Sequence, residues 1–163
     1  MPGDADAIGC YGANLMTWML KGERPRSVNA ITWQYKPEIY PRVDDEATII
    51  LQYPKAQCII QASWNWTFSR KDMEVYGTNG YAIAVDGGTV RERLKEKSPE
   101  KLVKLKDRPY PFTDPFSVLS SVIRGSIQLD PYDQYGLKVN VIAAEILDAA
   151  RRSAKEGKTV VLK

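Results

Sequence analysis

The chain has 163 residues, 44% apolar and 26% charged, a size and balance that can bury a core without disulfide staples. Its formal charge of +3, from 23 basic and 20 acidic residues in mixed-sign clusters, excludes a one-sided basic footprint for nucleic acid. The absence of histidine excludes Ser-His-Asp and Cys-His catalysis and histidine zinc sites within this chain, and no apolar run reaches the roughly 18 residues of a membrane span.

In chain order, the first element is a helix. Ile8, Tyr11, Leu15, Trp18 and Met19 recur at three- and four-residue spacing and predict one apolar face, with Asp4 or Asp6 as cap and Gly22 as stop. Gly9 and Gly12 each weaken this helix by roughly 1 kcal/mol, which implies a close approach to its backbone. Residues 27–35 are rich in β-branched and aromatic side chains and read as a strand. A loop with Pro37 and Pro41 ends in Asp44-Asp45. Next, residues 46–53 alternate, with Ala47, Ile49, Leu51 and Tyr53 on one face. Residues 57–66 follow, with Cys58, Ile60, Ala62, Trp64 and Trp66 on the apolar side and Gln57, Ile59, Gln61, Ser63 and Asn65 opposite. That uncharged polar face suits solvent, a ligand or a second sheet in a homo-oligomer.

Strands at 71–76, 81–85, 89–94 and 101–106 then form an antiparallel meander, turned by Gly77-Thr78-Asn79-Gly80 and Asp86-Gly87-Gly88. Asp114 with Pro115 predicts a helix start, with Phe116, Leu119, Val122 and Ile123 as its buried stripe. The longest helix spans 134–156, its apolar band formed by Val141, Ile142, Ala144, Ile146, Leu147 and Ala149, and its cap by Gly157. A short strand at 159–162 ends the chain. The order predicts one α+β domain, an open, mostly antiparallel sheet with helices packed on one face. Cys10 and Cys58 lack metal or redox spacing and read as buried free thiols of a reducing, cytoplasmic compartment.

The run Ile8-Gly9-Cys10-Tyr11-Gly12-Ala13-Asn14-Leu15, the segments Asp44-Asp45-Glu46-Ala47-Thr48 and Ala62-Ser63-Trp64-Asn65-Trp66, and the stretch from Glu145 to Val160 together resemble the C-terminal domain of Gfo/Idh/MocA-type oxidoreductases. This is the glucose–fructose oxidoreductase and inositol dehydrogenase group. The resemblance implies the dihydrodipicolinate reductase-like or glyceraldehyde-3-phosphate dehydrogenase-like C-terminal fold over residues 1–163. It also implies a preceding Rossmann domain that holds NAD or NADP and carries the catalytic lysine. No Gly-x-Gly-x-x-Gly is present here, so a fragment starting just past that domain is expected to bind no cofactor and to be inactive alone.

The family's other acid/base groups, an Asp followed four residues later by His or Tyr, fall on the opening helix. Tyr11 matches the second position and would exchange a proton with the substrate alcohol oxygen, the alternative being a packing tyrosine. Ala7 stands at the first, and Asp6, one residue away, either replaces that carboxylate or is only a cap. Trp64, Asn65 and Trp66 would line a sugar-sized pocket, or both tryptophans would belong to the core; Lys36 and Arg70 are loop cations that would contact substrate or a partner subunit. The expected function is the substrate-binding and oligomerisation domain of a nicotinamide-dependent sugar or polyol oxidoreductase. The alternative is a non-catalytic module that oligomerises through its sheet or binds carbohydrate.

Overall fold

A computed structural model describes residues 5–68 and 70–162, and the side chains from Gly9 onward. The chain forms two compact units, the first from residues up to Asn65 together with those from Gln128, the second from Trp66 to Ile127. The α+β, antiparallel architecture is as the sequence leads one to expect. Its strands are shared between two four-stranded sheets.

The first unit contains helix α1 (Ala5–Met19), strands β1 (Ser27–Trp33), β2 (Glu46–Gln52) and β3 (Gln57–Ser63), helix α3 (Leu137–Glu156) and strand β8 (Val160–Val161). Its sheet runs β3-β2-β1-β8, antiparallel throughout, with Trp33 opposite Glu46 and Glu46 opposite Ser63 at one end. The alternation in β2 holds, since Ala47, Ile49, Leu51 and Tyr53 are buried. Ile49, Leu51 and Tyr53 join Val28, Ala30 and Ile60 beneath α1 and α3, which pack on this face, α3 over β1 and α1 over β3 and β2, while Ala47 packs with Ala62 in a smaller cluster.

The inward face of α1 differs from the apolar stripe read from the sequence. Gly9, Ala13 and Thr17 are buried, with Met16 and Leu20 beside them, whereas Tyr11 is 64% exposed and Trp18 and Met19 lie largely in the open. Close approach decides this. A Cβ on Gly12 would lie 2.8 Å from Cγ1 and Cγ2 of Ile60, so the helix rests on β3 through its smallest residues. Thr17 satisfies its buried hydroxyl by donating to the Ala13 carbonyl at 2.7 Å. The α1 stop is strict, because Gly22 has φ +79° and the ring of Tyr132 occupies the place a Cβ would take.

Helix α3 starts three residues later than its periodicity suggests and buries Val139, Ile142, Ala143, Ile146, Ala149, Ala150 and Ser153, while Val141 and Ala144 turn outward. Gly157, at φ 62°, caps it in the left-handed conformation.

The second unit holds strands β4 (Met73–Gly77), β5 (Gly80–Ala84), β6 (Thr89–Arg93) and β7 (Lys101–Lys104), in sequential antiparallel order, and helix α2 (Pro115–Ile123). Asp114 caps α2 as expected. Its Oδ1 accepts from the backbone N–H groups of Phe116 and Ser117, each at 2.9 Å, and Oδ2 from the Ser117 hydroxyl at 2.6 Å. The buried side of α2 is Val118 and Ser121, however, and Phe116, Leu119 and Ile123 are exposed. Helical spacing specifies a stripe; packing alone decides which side of the helix turns inward.

Candidate functional site

At one end of the first sheet, β1 leaves toward Lys36, β2 begins at Glu46 and β3 ends at Ser63, so three chain segments converge. Asp45 is the residue they share, and it is fully buried. Its backbone closes the end of the sheet, donating to the Trp33 carbonyl at 3.0 Å and accepting from the Trp64 N–H at 2.8 Å. Its carboxylate accepts from the N–H of Tyr35 at 2.9 Å, the N–H of Lys36 at 2.7 Å and the side-chain amide of Asn65 at 2.8 Å. Removal from water alone would raise its pKa, but these donors outweigh that and hold the carboxyl below its ordinary value.

Three of the residues expected to bind substrate meet at Asp45, Asn65 through its side-chain amide and Lys36 and Trp64 through their backbone N–H groups. The Asn65 amide nitrogen also lies 3.3 Å from the Asp45 carbonyl and 3.4 Å from Glu46 Oε2, and its backbone N–H donates to the Ser63 hydroxyl at 3.0 Å. Lys36 Nζ donates to the Trp64 carbonyl at 3.4 Å. The Trp64 ring, past the end of β3 and 46% exposed, faces Tyr40 with centroids 6.4 Å apart. Gln34 braces the intervening loop by donating to the carbonyls of Tyr40 and Val43. Neither Trp64 nor Trp66 belongs to the core, because β3 stops at Ser63 and the alternation does not extend to them.

Trp66 and Arg70 belong to the second unit and meet each other there, with the Arg70 guanidinium 5.8 Å from the Trp66 ring centroid. Arg70 is also engaged by Asp72 through both carboxylate oxygens, which raises its pKa further and lowers that of Asp72. Tyr11 stands on the exposed side of α1. The side chain of Asp6 lies outside the described residues, although its backbone is within α1.

Asp45 is the residue at this corner that residue type and spacing did not mark as a binding group. The signal was present in the pair Asp44-Asp45 directly before a strand, but an acidic loop end ordinarily means solvent exposure. Cys58 behaves as a structural thiol, since burial pushes its pKa up to about 11. Among the described residues no group of three or more His, Cys, Asp or Glu is arranged to hold a metal ion, and no helix is long and apolar enough to cross a membrane.

The outer face of the first sheet is open. Its uncharged polar residues are present as expected, interleaved with exposed Ile31, Trp33, Ile59 and Val161, and Trp33 pairs with Tyr35 at 6.2 Å. The register places Ile50 between Asn29 and Ile59 on this same face.

Residues 6–83 match the family described as the GFO/IDH/MocA C-terminal domain. The fold is similar to aldose-aldose oxidoreductase from Caulobacter crescentus complexed with glycerol, at 22% identity and TM-score 0.75, covering 99% of this chain and 48% of that one. It is similar to an oxidoreductase from Agrobacterium radiobacter in complex with NAD+, L-tartaric acid and magnesium, at 16% identity and TM-score 0.74, covering 98% of this chain and 49% of that one. A candidate myo-inositol dehydrogenase from Sinorhizobium meliloti 1021 aligns at 20% identity and TM-score 0.66, covering 99% of this chain and 54% of that one. The chain thus spans about half the length of the structures it matches, and no curated protein sequence matches it. The matched stretch takes in the opening helix, the Asp44–Thr48 segment and the Trp64-Asn65 corner, and over these residues the chain is similar to the Gfo/Idh/MocA-type C-terminal domain.

Proposed function

We propose that this chain is the substrate-binding and oligomerisation domain of an NAD- or NADP-dependent oxidoreductase acting on a sugar or polyol. The observation that carries the reading is the convergence on buried Asp45 of the backbone N–H groups of Lys36 and Trp64 and the side-chain amide of Asn65, so that residues bearing an ammonium, an aromatic ring and an amide start from one sheet corner. Aromatic faces and amides are the groups that bind sugar rings and hydroxyls. The relatives whose names mention an aldose, glycerol or myo-inositol support that substrate class, and the one in complex with NAD+ supports the cofactor.

The cofactor does not fit this chain by itself. Both sheets are antiparallel, and among the described residues no glycine-rich turn leads from a parallel strand into a helix. On this reading the cofactor and the catalytic lysine would lie in a preceding half, and residues 1–163 would act as one domain beside it, inactive when alone. Tyr11 is the acid/base candidate of this half and would exchange a proton with the substrate hydroxyl, with Asp6 near it in sequence. Trp66 and Arg70 are further candidates for substrate contact by their chemistry alone. The open, partly apolar face of the first sheet would be covered by a second copy of the chain. Cys10 and Cys58, neither in a disulfide, fit a reducing, cytoplasmic setting.

The test joins the chain to its preceding half and measures NAD(P)H formation with glycerol, myo-inositol and glucose, against the isolated chain as control. Turnover by the joined protein and none by the isolated chain is the expected result. No turnover of any of the three leaves the alternative, a sheet-mediated oligomerisation or carbohydrate-binding module without catalysis.

A further inference from the structure

We infer that two copies of the chain meet face to face across the first sheet, turned end for end, so that Trp33 of each enters a cavity on the other. The inference rests on the sheet-mediated assembly proposed above and adds to it the orientation of the copies and the group that anchors them.

The outer face of this sheet has unlike ends. At one end a cavity of about 450 Å³ is lined by Ser27, Asn29, Ile50, Gln52, Gln57 and Thr159. At the other end stands Trp33, 60% exposed and paired with exposed Tyr35. Strand β1 carries both ends, Ser27 at its start and Trp33 at its finish, about 20 Å apart in extended chain. The indole therefore cannot reach the cavity of its own copy. A second copy with its strands reversed brings each indole over the other's cavity. Stacked sheets lie about 10 Å apart, a gap that a tryptophan side chain spans.

Charge separates the two possible two-fold arrangements. Of the outward positions of β1, β2 and β3, Glu46 alone is charged, and the register sets it beside Trp33. A two-fold axis along the strands would bring like ends together and gather both Glu46 carboxylates at one end of the interface. An axis across the strands places each Glu46, with Trp33, over neutral amides and hydroxyls. The rest of the face is uncharged and meets its own copy without repulsion.

The cavity also has the groups that an indole needs. The Ser27 hydroxyl donates to Gln52 Oε1 at 3.1 Å, and Asn29 Nδ2 donates to Thr159 Oγ1 at 3.2 Å, which orients both amides. Asn29 Oδ1 is left as an acceptor for the indole N–H, and Ile50 supplies apolar contact for the ring.

The experiment is sedimentation equilibrium over a concentration series of wild type, Trp33→Ala, Gln52→Trp, and an equimolar mixture of the two variants. Both positions are exposed, so neither change reaches the core. Trp33→Ala removes the anchor, whereas Gln52→Trp fills the cavity and leaves Trp33 in place. Each variant alone should dimerise at least about tenfold more weakly than wild type. Mixed, they should associate more tightly than either does alone. Trp33 of the Gln52→Trp chain then meets the open cavity of the Trp33→Ala chain, and the filled cavity meets the end that lacks its indole. Variants that dimerise as tightly as wild type, or a mixture no tighter than its components, overturn the end-for-end arrangement. The sheet interface itself then still stands if Ile31→Glu with Ile59→Glu breaks the dimer. A wild type that stays monomeric overturns the assembly reading, and this inference with it.

Discussion

The side-chain amide of Asn65 donates to the carboxylate of Asp45 at 2.8 Å, tying the end of β3 to the start of β2 through a group fully removed from water. A sheet corner is usually closed by backbone bonds alone; this one has a charge at its centre. The consequences of that charge are open to measurement.

The first is acid sensitivity. The Asp45 carboxyl is held below its ordinary value of 3.8, and Asp114 and Glu145 are lowered as well, Asp114 chiefly by the Ser117 hydroxyl and Glu145 chiefly by Arg24. A carboxyl whose pKa is lower in the folded than in the unfolded chain stabilises the fold above the unfolded value, and that contribution is lost as pH falls through the folded one. Urea midpoints should hold above about pH 4 and fall below it, and Asp45→Asn should flatten this acid limb. An acid limb of the same slope in both proteins would show that Asp45 is not coupled to folding.

The approach of α1 to β3 gives a second expectation. Gly12→Ala gains helix propensity of about 1 kcal/mol but sets a Cβ against Ile60, an overpacking cost of about 1–3 kcal/mol, so the net effect is destabilising. In an Ile60→Ala background the clash disappears, and the same substitution should stabilise by up to about 1 kcal/mol. Urea denaturation of the four proteins in this cycle measures the reversal of sign.

At the start of α2, Asp114→Ala should lower stability by about 1 kcal/mol, whereas Asp114→Ser should retain most of the capping. The change is read as a shift in the thermal or urea midpoint followed by circular dichroism.

The open sheet face leads to an assembly prediction. Ile31→Glu and Ile59→Glu each place a charge on an exposed apolar position of this face without touching the core. Light scattering should report a dimer or larger species for the wild type and a monomer for the double variant. The same mass for both would move the interface elsewhere.

Tyr11→Phe tests the acid/base proposal directly. In the protein joined to its preceding half, turnover should fall by about 10²-fold with little change in KM. Unchanged turnover would leave the exposed Tyr11 hydroxyl without a part in the chemistry.

Among the described residues the eight strands lie at positions that alternation and turn residues indicate, most with ends one to three residues shorter, while β4 runs one residue further, to Gly77, and β5 starts one residue earlier, at Gly80. The helix stops at Gly22 and Gly157 and the Asp114 cap were equally legible, because each is a local requirement of backbone geometry or of a backbone donor. Which side of α1 and α2 faces inward was not. In α1 the large residues Tyr11 and Trp18 stand outward because Gly12 must let Ile60 close to the helix axis, and helical spacing contains no information about that distance.

The candidate site divides in the same way. The sequence by itself named Lys36, Trp64 and Asn65 as residues of the right chemistry at strand ends, and the order of its short motifs carried the family resemblance. Only the tertiary structure decided that these three share Asp45. Their meeting depends on the antiparallel register of β1, β2 and β3, which brings residues 35–36, 45 and 65 to one sheet end. Hydrogen-bond partners so far apart along the chain leave no periodic trace in it, and burial turned an acidic loop end into the centre of the corner.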